Sequence, residues 1–395
     1  MAYESSIWQS KLDQLAASGL IRNKPRLNSP QGALVEISGS EMINFASNDY
    51  LGLASNSSVT QACEASLANF GFGSGASALV CGYNEEHALL ESELAVFTGR
   101  DQALLFSTGY MANLAVSASL CGPKSLIMQD KLNHASLIDG AKLSGARSQR
   151  YLHNSPESLE TYLQKFVARD DYDQILVSTD GVFSMDGDVA KVSELADVCD
   201  RYRALLVVDD AHGLGVLGPS GRGTLESQSV DQYRCPLLIG TFGKAFGGFG
   251  AFVAGPNDLM NYLEQVARPH IYTTAIPASV AAAARAGLRE IKRADVQRAH
   301  LRTLISTFRN ELSGKGFELL DSSTPIQGVV VGGNQQVLEL SEFLKRNGIL
   351  VGAIRPPTVP KGSARLRITL SASHTHDQLE TLIDALSSAK QKGLC

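Results

Sequence analysis

Along most of the chain, short apolar runs alternate with stretches whose apolar residues recur every three to four positions. The runs lie at 103–106, 125–128, 174–177, 205–208, 236–239 and 251–254. Helical periods at 89–97, 111–120 and 192–202 separate several of them. A continuous apolar run suits a strand covered on both faces, and strands alternating with helices predict a mostly parallel sheet. Ligands of such sheets bind beyond the carboxyl ends of the strands. The loops after Phe106, Met128, Val177, Val208 and Ile239 are therefore expected around one site.

The two ends of the chain read differently. Residues 1–45 form an arm with a short helix at 8–17, prolines at 25 and 30, and two short strands at 34–37 and 42–45. After Pro277 an alanine-rich helix, 278–292, leads into an amphipathic one with Leu301, Leu304, Ile305, Phe308 and Leu312 on one stripe. A helix at 337–346 stops at Asn347-Gly348. Residues 364–370 alternate, with Leu366, Ile368 and Leu370 on one face and Arg365, Arg367 and Thr369 on the other. A last helix carries Leu379, Leu382, Ile383 and Leu386. The expected fold class is α/β. The arm spans 1–45, a large domain 46–277, and a smaller α+β domain 278–395.

Composition narrows the function classes. A length of 395 residues exceeds one ordinary core, which agrees with two domains. A net charge of −5 gives no broad basic surface, so nucleic acid is not an expected partner. The six cysteines (Cys63, Cys81, Cys121, Cys199, Cys235, Cys395) show no metal-ligand spacing, and no metal is expected. No stretch reaches the ~18 apolar residues of a membrane span. With Glu4, Lys11 and Asp13 near its start, the N-terminus does not read as a secretory signal. A cytoplasmic protein is expected.

Four strand ends carry unusual residues. They are Ser107-Thr108-Gly109-Tyr110, Asp130-Lys131-Leu132-Asn133-His134, Asp209-Asp210-Ala211-His212-Gly213 and Thr241-Phe242-Gly243-Lys244. Pyridoxal phosphate needs an amine for its aldehyde and a carboxylate for its ring nitrogen. It also needs backbone N–H groups and hydroxyls for its phosphate, and a flat partner for its ring. Lys244, Asp209, the Gly109 turn with Thr241, and His134 meet these needs in turn. Taken singly, each has an ordinary explanation. A lysine in a glycine-rich loop is usually a solvated turn residue, an Asp at a strand end a turn former, a His before a helix its cap, a glycine a strand stop. Their convergence at one sheet edge is the stronger signal. The run Gly213-Leu214-Gly215-Val216-Leu217-Gly218 matches the dinucleotide pattern, but Pro219-Ser220-Gly221 follows it where a helix should open.

The segments Asn133-His134-Ala135-Ser136, Asp209-Asp210-Ala211-His212-Gly213 and Thr241-Phe242-Gly243-Lys244 resemble those of the α-oxoamine synthases. So do Ser47-Asn48-Asp49-Tyr50-Leu51-Gly52-Leu53 and Gly181-Val182-Phe183-Ser184-Met185-Asp186-Gly187, and the likeness runs from Arg22 to the last helix. These are fold-type-I pyridoxal-phosphate enzymes that condense an amino acid with an acyl thioester and lose carbon dioxide. Gly75-Ala76-Ser77-Ala78 and the stretch Ile354-Arg355-Pro356-Pro357-Thr358 are most similar to the branch that uses L-alanine and a pimeloyl thioester on the way to biotin. The thioester is of CoA or of a carrier protein. Relatives using glycine or serine, and fold-type-I aminotransferases, are the alternatives.

The resemblance implies roles. Lys244 is the Schiff-base lysine and the base that takes the Cα proton, Asp209 partners the pyridine nitrogen, and His134 stacks on the ring. His212 and Ser184 lie near the phenolic oxygen, and Gly109, Tyr110 and Thr241 cradle the phosphate. Thr273 or Thr274 is lent by a second subunit, which implies a homodimer with its site at the interface. Arg367 resembles the arginine that grips the amino-acid carboxylate, though Arg365 shares its strand face. Arg22, Asn48 and Thr358 match substrate-contacting positions. Asp180 stands where relatives commonly carry Glu, and no role is assigned to it.

Overall fold

In the computed structural model the apolar runs become strands of a seven-stranded sheet. The structure describes residues 5–18, 20–21, 24–169, 171–356 and 358–394. Two short strands, β1 (Leu34–Ile37) and β2 (Ser40–Asn44), come first. The sheet comprises β3 (Gln102–Phe106), β4 (Ser125–Asp130), β5 (Arg147–Tyr151), β6 (Gln174–Asp180), β7 (Leu205–Asp209), β8 (Leu237–Thr241) and β9 (Ala251–Gly255). Their order is β3-β9-β8-β7-β6-β4-β5. Pairing from β8 through β5 is parallel, and β9 alone runs against its neighbours. Alternate residues serve opposite cores. Leu104, Ile127, Leu176 and Val207 pack on one face, and Leu105, Leu126, Val177 and Leu206 on the other. β5 escapes the apolar pattern because it is an edge strand of polar residues, with only Tyr151 buried.

Parallel pairing aligns the strand ends. In register, Asp180 at the end of β6 faces Asp209 at the end of β7, and Asp209 faces Ile239 of β8, which leads to Thr241. The glycine-rich run at 213–218 forms turns and opens no helix. Its glycines make room for a carboxylate: a Cβ on Gly213 would stand 2.1 Å from Asp210 Oδ1. That carboxylate accepts from the backbone N–H and the hydroxyl of Thr224, both at 2.6 Å.

The C-terminal part adds β10 (Ile326–Gly332), β11 (Ile349–Leu350), β12 (Gly352–Ile354) and β13 (Ala364–Thr369). β10, β13 and β12 form an antiparallel sheet, whereas β11 pairs in parallel with β2 and so extends the N-terminal hairpin. The helix Ala278–Lys292 packs on the helices Ser57–Phe70 and Glu85–Thr98. Ala283 and Ala286 meet Val59 there, small side chains that let the helices approach. Every residue of β13 is buried. Its polar face, Arg365, Arg367 and Thr369, is turned to the large sheet's loops and not to water. No helix among the described residues is long and apolar enough to cross a membrane.

Candidate active site

A chain of hydrogen bonds links three strand ends. The helix Gly109–Leu120 follows β3 and carries one buried amide, Asn113, in an otherwise apolar turn. Asn113 Nδ2 donates to Asp209 Oδ2 at 2.6 Å and to Ser136 Oγ at 2.8 Å. Ser136 Oγ lies 2.7 Å from His134 Nδ1, and the Ser136 N–H donates to the same nitrogen at 3.3 Å. A nitrogen that receives an N–H is an acceptor, so the proton of neutral His134 sits on Nε2. Burial lowers the His134 pKa, with Lys244 adding to the effect against the opposing charge of Asp209. The other Asp209 oxygen accepts from the Ala211 N–H at 3.1 Å. Asp209 is thus fixed in the interior, and His134 is held at the exposed end of the chain of bonds.

Asp180 holds the His134 loop: its Oδ2 accepts the His134 N–H at 2.7 Å. Burial raises its pKa well above the usual carboxylate range, and the neighbouring Asp209 charge adds to this. Lys244 follows β8 and is partly buried. Burial lowers its amine to about 8 against the opposing pull of Asp209 and Asp180. First-turn N–H groups of a helix have no intrahelical acceptor. In Gly109–Leu120, Thr108 Oγ1 takes that of Met111 at 3.2 Å, which leaves those of Gly109 and Tyr110 open. Thr241 lies beside this turn: a Cβ on Gly109 would come within 3.9 Å of the Thr241 Cβ.

A second cluster surrounds Arg367. Its Nε donates to Ser184 O at 2.6 Å, Nη1 to Thr369 Oγ1 at 3.0 Å and Nη2 to Asn48 Oδ1 at 3.0 Å. All three acceptors are neutral. Arg365, two residues away, instead forms an ion pair with Asp186. The resemblance favoured Arg367, and the shared strand face kept Arg365 from being set aside. The structure separates them, because Arg365 is already neutralised and Arg367 retains an uncompensated charge. Tyr50 Oη stands 2.5 Å from His212 Nδ1 and 3.3 Å from Asn48 Oδ1, and so joins His212 to the Arg367 cluster. Burial depresses the His212 pKa well below its ordinary value, with Lys244 and Arg367 adding to it.

Some candidates stand apart. The Tyr110 phenol turns away to Asp139, so only its backbone faces the helix N-terminus. Thr273 and Thr274, expected to serve a second subunit's site, line a small cavity with Ser107 and Ile276. Thr358 lines a groove of about 960 Å³ with Leu12, Leu15, Ile354 and Arg355. Arg22 lies outside the described residues. Asn113, Ser136 and Tyr50 had no role in the sequence reading. A lone amide within the apolar turn Ala112-Asn113-Leu114-Ala115 was the one available signal for Asn113.

The class I and II aminotransferase family model matches residues 40–386. The 8-amino-7-oxononanoate synthase of Cellvibrio japonicus is 50% identical over 385 residues, 95% of this chain and 96% of that protein. That of Pseudomonas aeruginosa is 50% identical over 380 residues, 96% of this chain and 94% of that protein. Among solved structures, Sphingomonas wittichii serine palmitoyltransferase matches with TM-score 0.92 and 31% identity, covering 98% of this chain and 96% of that one. The 8-amino-7-oxononanoate synthase of Francisella tularensis matches with TM-score 0.78 and 33% identity over 90% of this chain and 99% of that one.

Proposed function

This chain belongs to the class I and II aminotransferase family and, within it, to the 8-amino-7-oxononanoate synthases, and from that premise we infer a pyridoxal-phosphate acyltransferase of biotin biosynthesis. It condenses L-alanine with a pimeloyl thioester and releases carbon dioxide, the free thiol and 8-amino-7-oxononanoate. We further read it as a cytoplasmic homodimer. The observation that carries the reading is the convergence of Lys244, on the loop after β8, with the carboxylate of Asp209, which ends the neighbouring strand β7 and is held at both oxygens.

The residues present fit the cofactor. Lys244 offers an amine, Asp209 a carboxylate held at both oxygens, and Gly109 and Tyr110 open N–H groups at a helix N-terminus, where anions bind. Thr241 adds a hydroxyl. When bound, pyridoxal phosphate supplies an electron sink for the charge left at the amino acid's Cα.

The chain's own groups do the rest. Lys244 is the attachment point, and its freed amine takes the Cα proton; a pKa near neutrality suits that task. Asp209 would hold the ring nitrogen in its protonated form. His134, with Nε2–H directed away from Ser136, would hold the ring's face and donate to the substrate's carboxylate or carbonyl. His212 and Ser184 serve the phenolic oxygen. Arg367 and Asn48 receive the alanine carboxylate, which supplies the charge that the neutral partners of Arg367 lack. The groove at Thr358 and Arg355 suits a methylene chain with a terminal carboxylate. Val80 and Tyr272 are 76% and 70% exposed beside Thr273 and Thr274, apolar surface that a second copy would cover.

The test is thiol release from pimeloyl-CoA and from pimeloyl-carrier protein by the cofactor-loaded chain, with L-alanine, glycine or L-serine. Release that requires alanine is expected. The likeness to a serine palmitoyltransferase favours L-serine as the second reading, and release with serine alone would sink the alanine assignment.

A further inference from the structure

Two carboxylates that the scheme above does not use face one histidine. His153 Nδ1 lies 2.9 Å from Asp130 Oδ1, and Nε2 lies 3.0 Å from Asp188 Oδ2. An ionised carboxylate only accepts, so both ring nitrogens must donate, and imidazole does that only as the imidazolium. Burial of the ring opposes the charge. The bonds to Asp130 and then Asp188 outweigh it and push the His153 pKa up to about 10. Phe183 meets the ring edge-on, with centroids 4.3 Å apart.

The two aspartates sit at the roots of two loops that carry site groups. Asp130 ends β4 and is fully buried. Its oxygens also accept the N–H groups of Leu132 at 2.8 Å and Asn154 at 2.7 Å, which ties down the stretch leading to His134. Asp188 belongs to a tight hairpin after β6, where Val182 pairs with Val189 and the Phe183 N–H donates to Asp188 O at 3.0 Å. The same hairpin presents the Ser184 carbonyl to Arg367 and the Asp186 carboxylate to Arg365. Asn154 reinforces the junction, donating to Val189 O at 2.9 Å and to Asp188 Oδ2 at 3.2 Å.

We propose that His153 is a positioning residue whose cationic ring ties the Asp188 hairpin to Asp130, and thereby holds the Ser184 carbonyl where it orients Arg367 for the amino-acid carboxylate. The role rests on the assignment of Arg367 made above. His153 acts through Ser184 and touches no reacting atom. A neutral side chain in its place leaves Asp130 and Asp188 facing one another with no cation between them, and like charges at that range repel. The hairpin then shifts, and Arg367 loses the acceptor that fixes its plane.

The experiment compares cofactor-loaded wild type with His153→Gln, His153→Lys and Asp188→Asn. Amino-acid affinity is read from the cofactor's absorbance change without thioester, alongside kcat and KM. His153→Gln and Asp188→Asn are expected to weaken L-alanine binding roughly tenfold, as misplacement of a substrate-positioning group does. Their kcat at saturating alanine should stay within about twofold, the pattern of lost uniform binding. His153→Lys retains a cation and should recover most of the affinity. In the unsubstituted protein, 15N NMR should find both His153 nitrogens protonated at neutral pH, a reading that needs no variant to fold. Unchanged alanine affinity in both neutral variants would overturn the proposal. So would an equal loss in the Lys and Gln variants, a fall in kcat alone, or a neutral ring. If the wild type binds glycine or L-serine in place of alanine, the substrate assignment fails and the same comparison is read with that amino acid.

Discussion

The Asp209 end of the site and the Arg367 end handle charge in opposite ways. Around Asp209 the carboxylate is hydrogen-bonded by neutral donors, Asn113 and the Ala211 N–H, while Lys244 interacts with it through charge, its pKa lowered by burial to about 8. Around Arg367 the guanidinium is met by neutral acceptors, while its neighbour Arg365 carries the ion pair. Each end therefore keeps one charge fixed in place but unneutralised. A protonated pyridine nitrogen suits the first, and an amino-acid carboxylate suits the second. On the proposed assignment, a binding charge differs from a structural one in its partners rather than in its burial. Arg365 and Arg367 are 5% and 8% exposed, so burial does not separate them.

Substitutions can break this comparison, and the largest effect belongs to Lys244. Lys244→Ala removes the proposed attachment point and base together, and turnover should fall by at least about 10⁴-fold, the upper range for loss of a positioned base. Steady-state turnover at saturating substrates checks it, and a variant within about tenfold of wild type would remove Lys244 from the chemistry.

A pH series sharpens the Lys244 half. With its pKa lowered to about 8, the amine is mostly protonated below that pH and has no lone pair for an aldehyde. Capture of pyridoxal phosphate by the cofactor-free protein should therefore speed up by about tenfold per pH unit on approaching pH ~8, then level off. Stopped-flow absorbance reads this directly, and a rise that continued to about pH 10 would show an ordinary solvated lysine.

The two arginines test the other half. Arg367→Met should raise KM for L-alanine by roughly ten- to a hundredfold, the ~1.5–3 kcal/mol of a charged hydrogen bond. Arg365→Met should leave that KM within about threefold. Instead it should cost about 1–3 kcal/mol in denaturant unfolding, because Asp186 loses its partner. The reverse pattern would exchange the two assignments.

The smallest expected effect is that of Asn113→Ala. Asp209 retains its Ala211 bond, so cofactor affinity should fall only about five- to tenfold, the ~1 kcal/mol of one hydrogen bond. Equilibrium dialysis of the cofactor measures it, and no change would mean that Asn113 does not position Asp209.

Hydrophobic patterning by itself determined much of this protein. Apolar runs placed six of the seven sheet strands, since a strand buried on both faces must be apolar throughout. The strand-end rule then gathered Lys244, Asp209, His134 and Gly109, because their positions depend on local chain order alone. The polar edge strand β5 escaped, since an edge needs no apolar run. Only the tertiary structure decided what joins residues far apart in the chain. Asn48 meets Arg367 across 319 positions, and His153 meets Asp188 across 35. A hydrogen bond requires distance and direction together, and side-chain periodicity supplies only a face. That is why periodicity put both arginines of β13 on one face, and why only the folded chain gave Asp186 to Arg365 and neutral acceptors to Arg367.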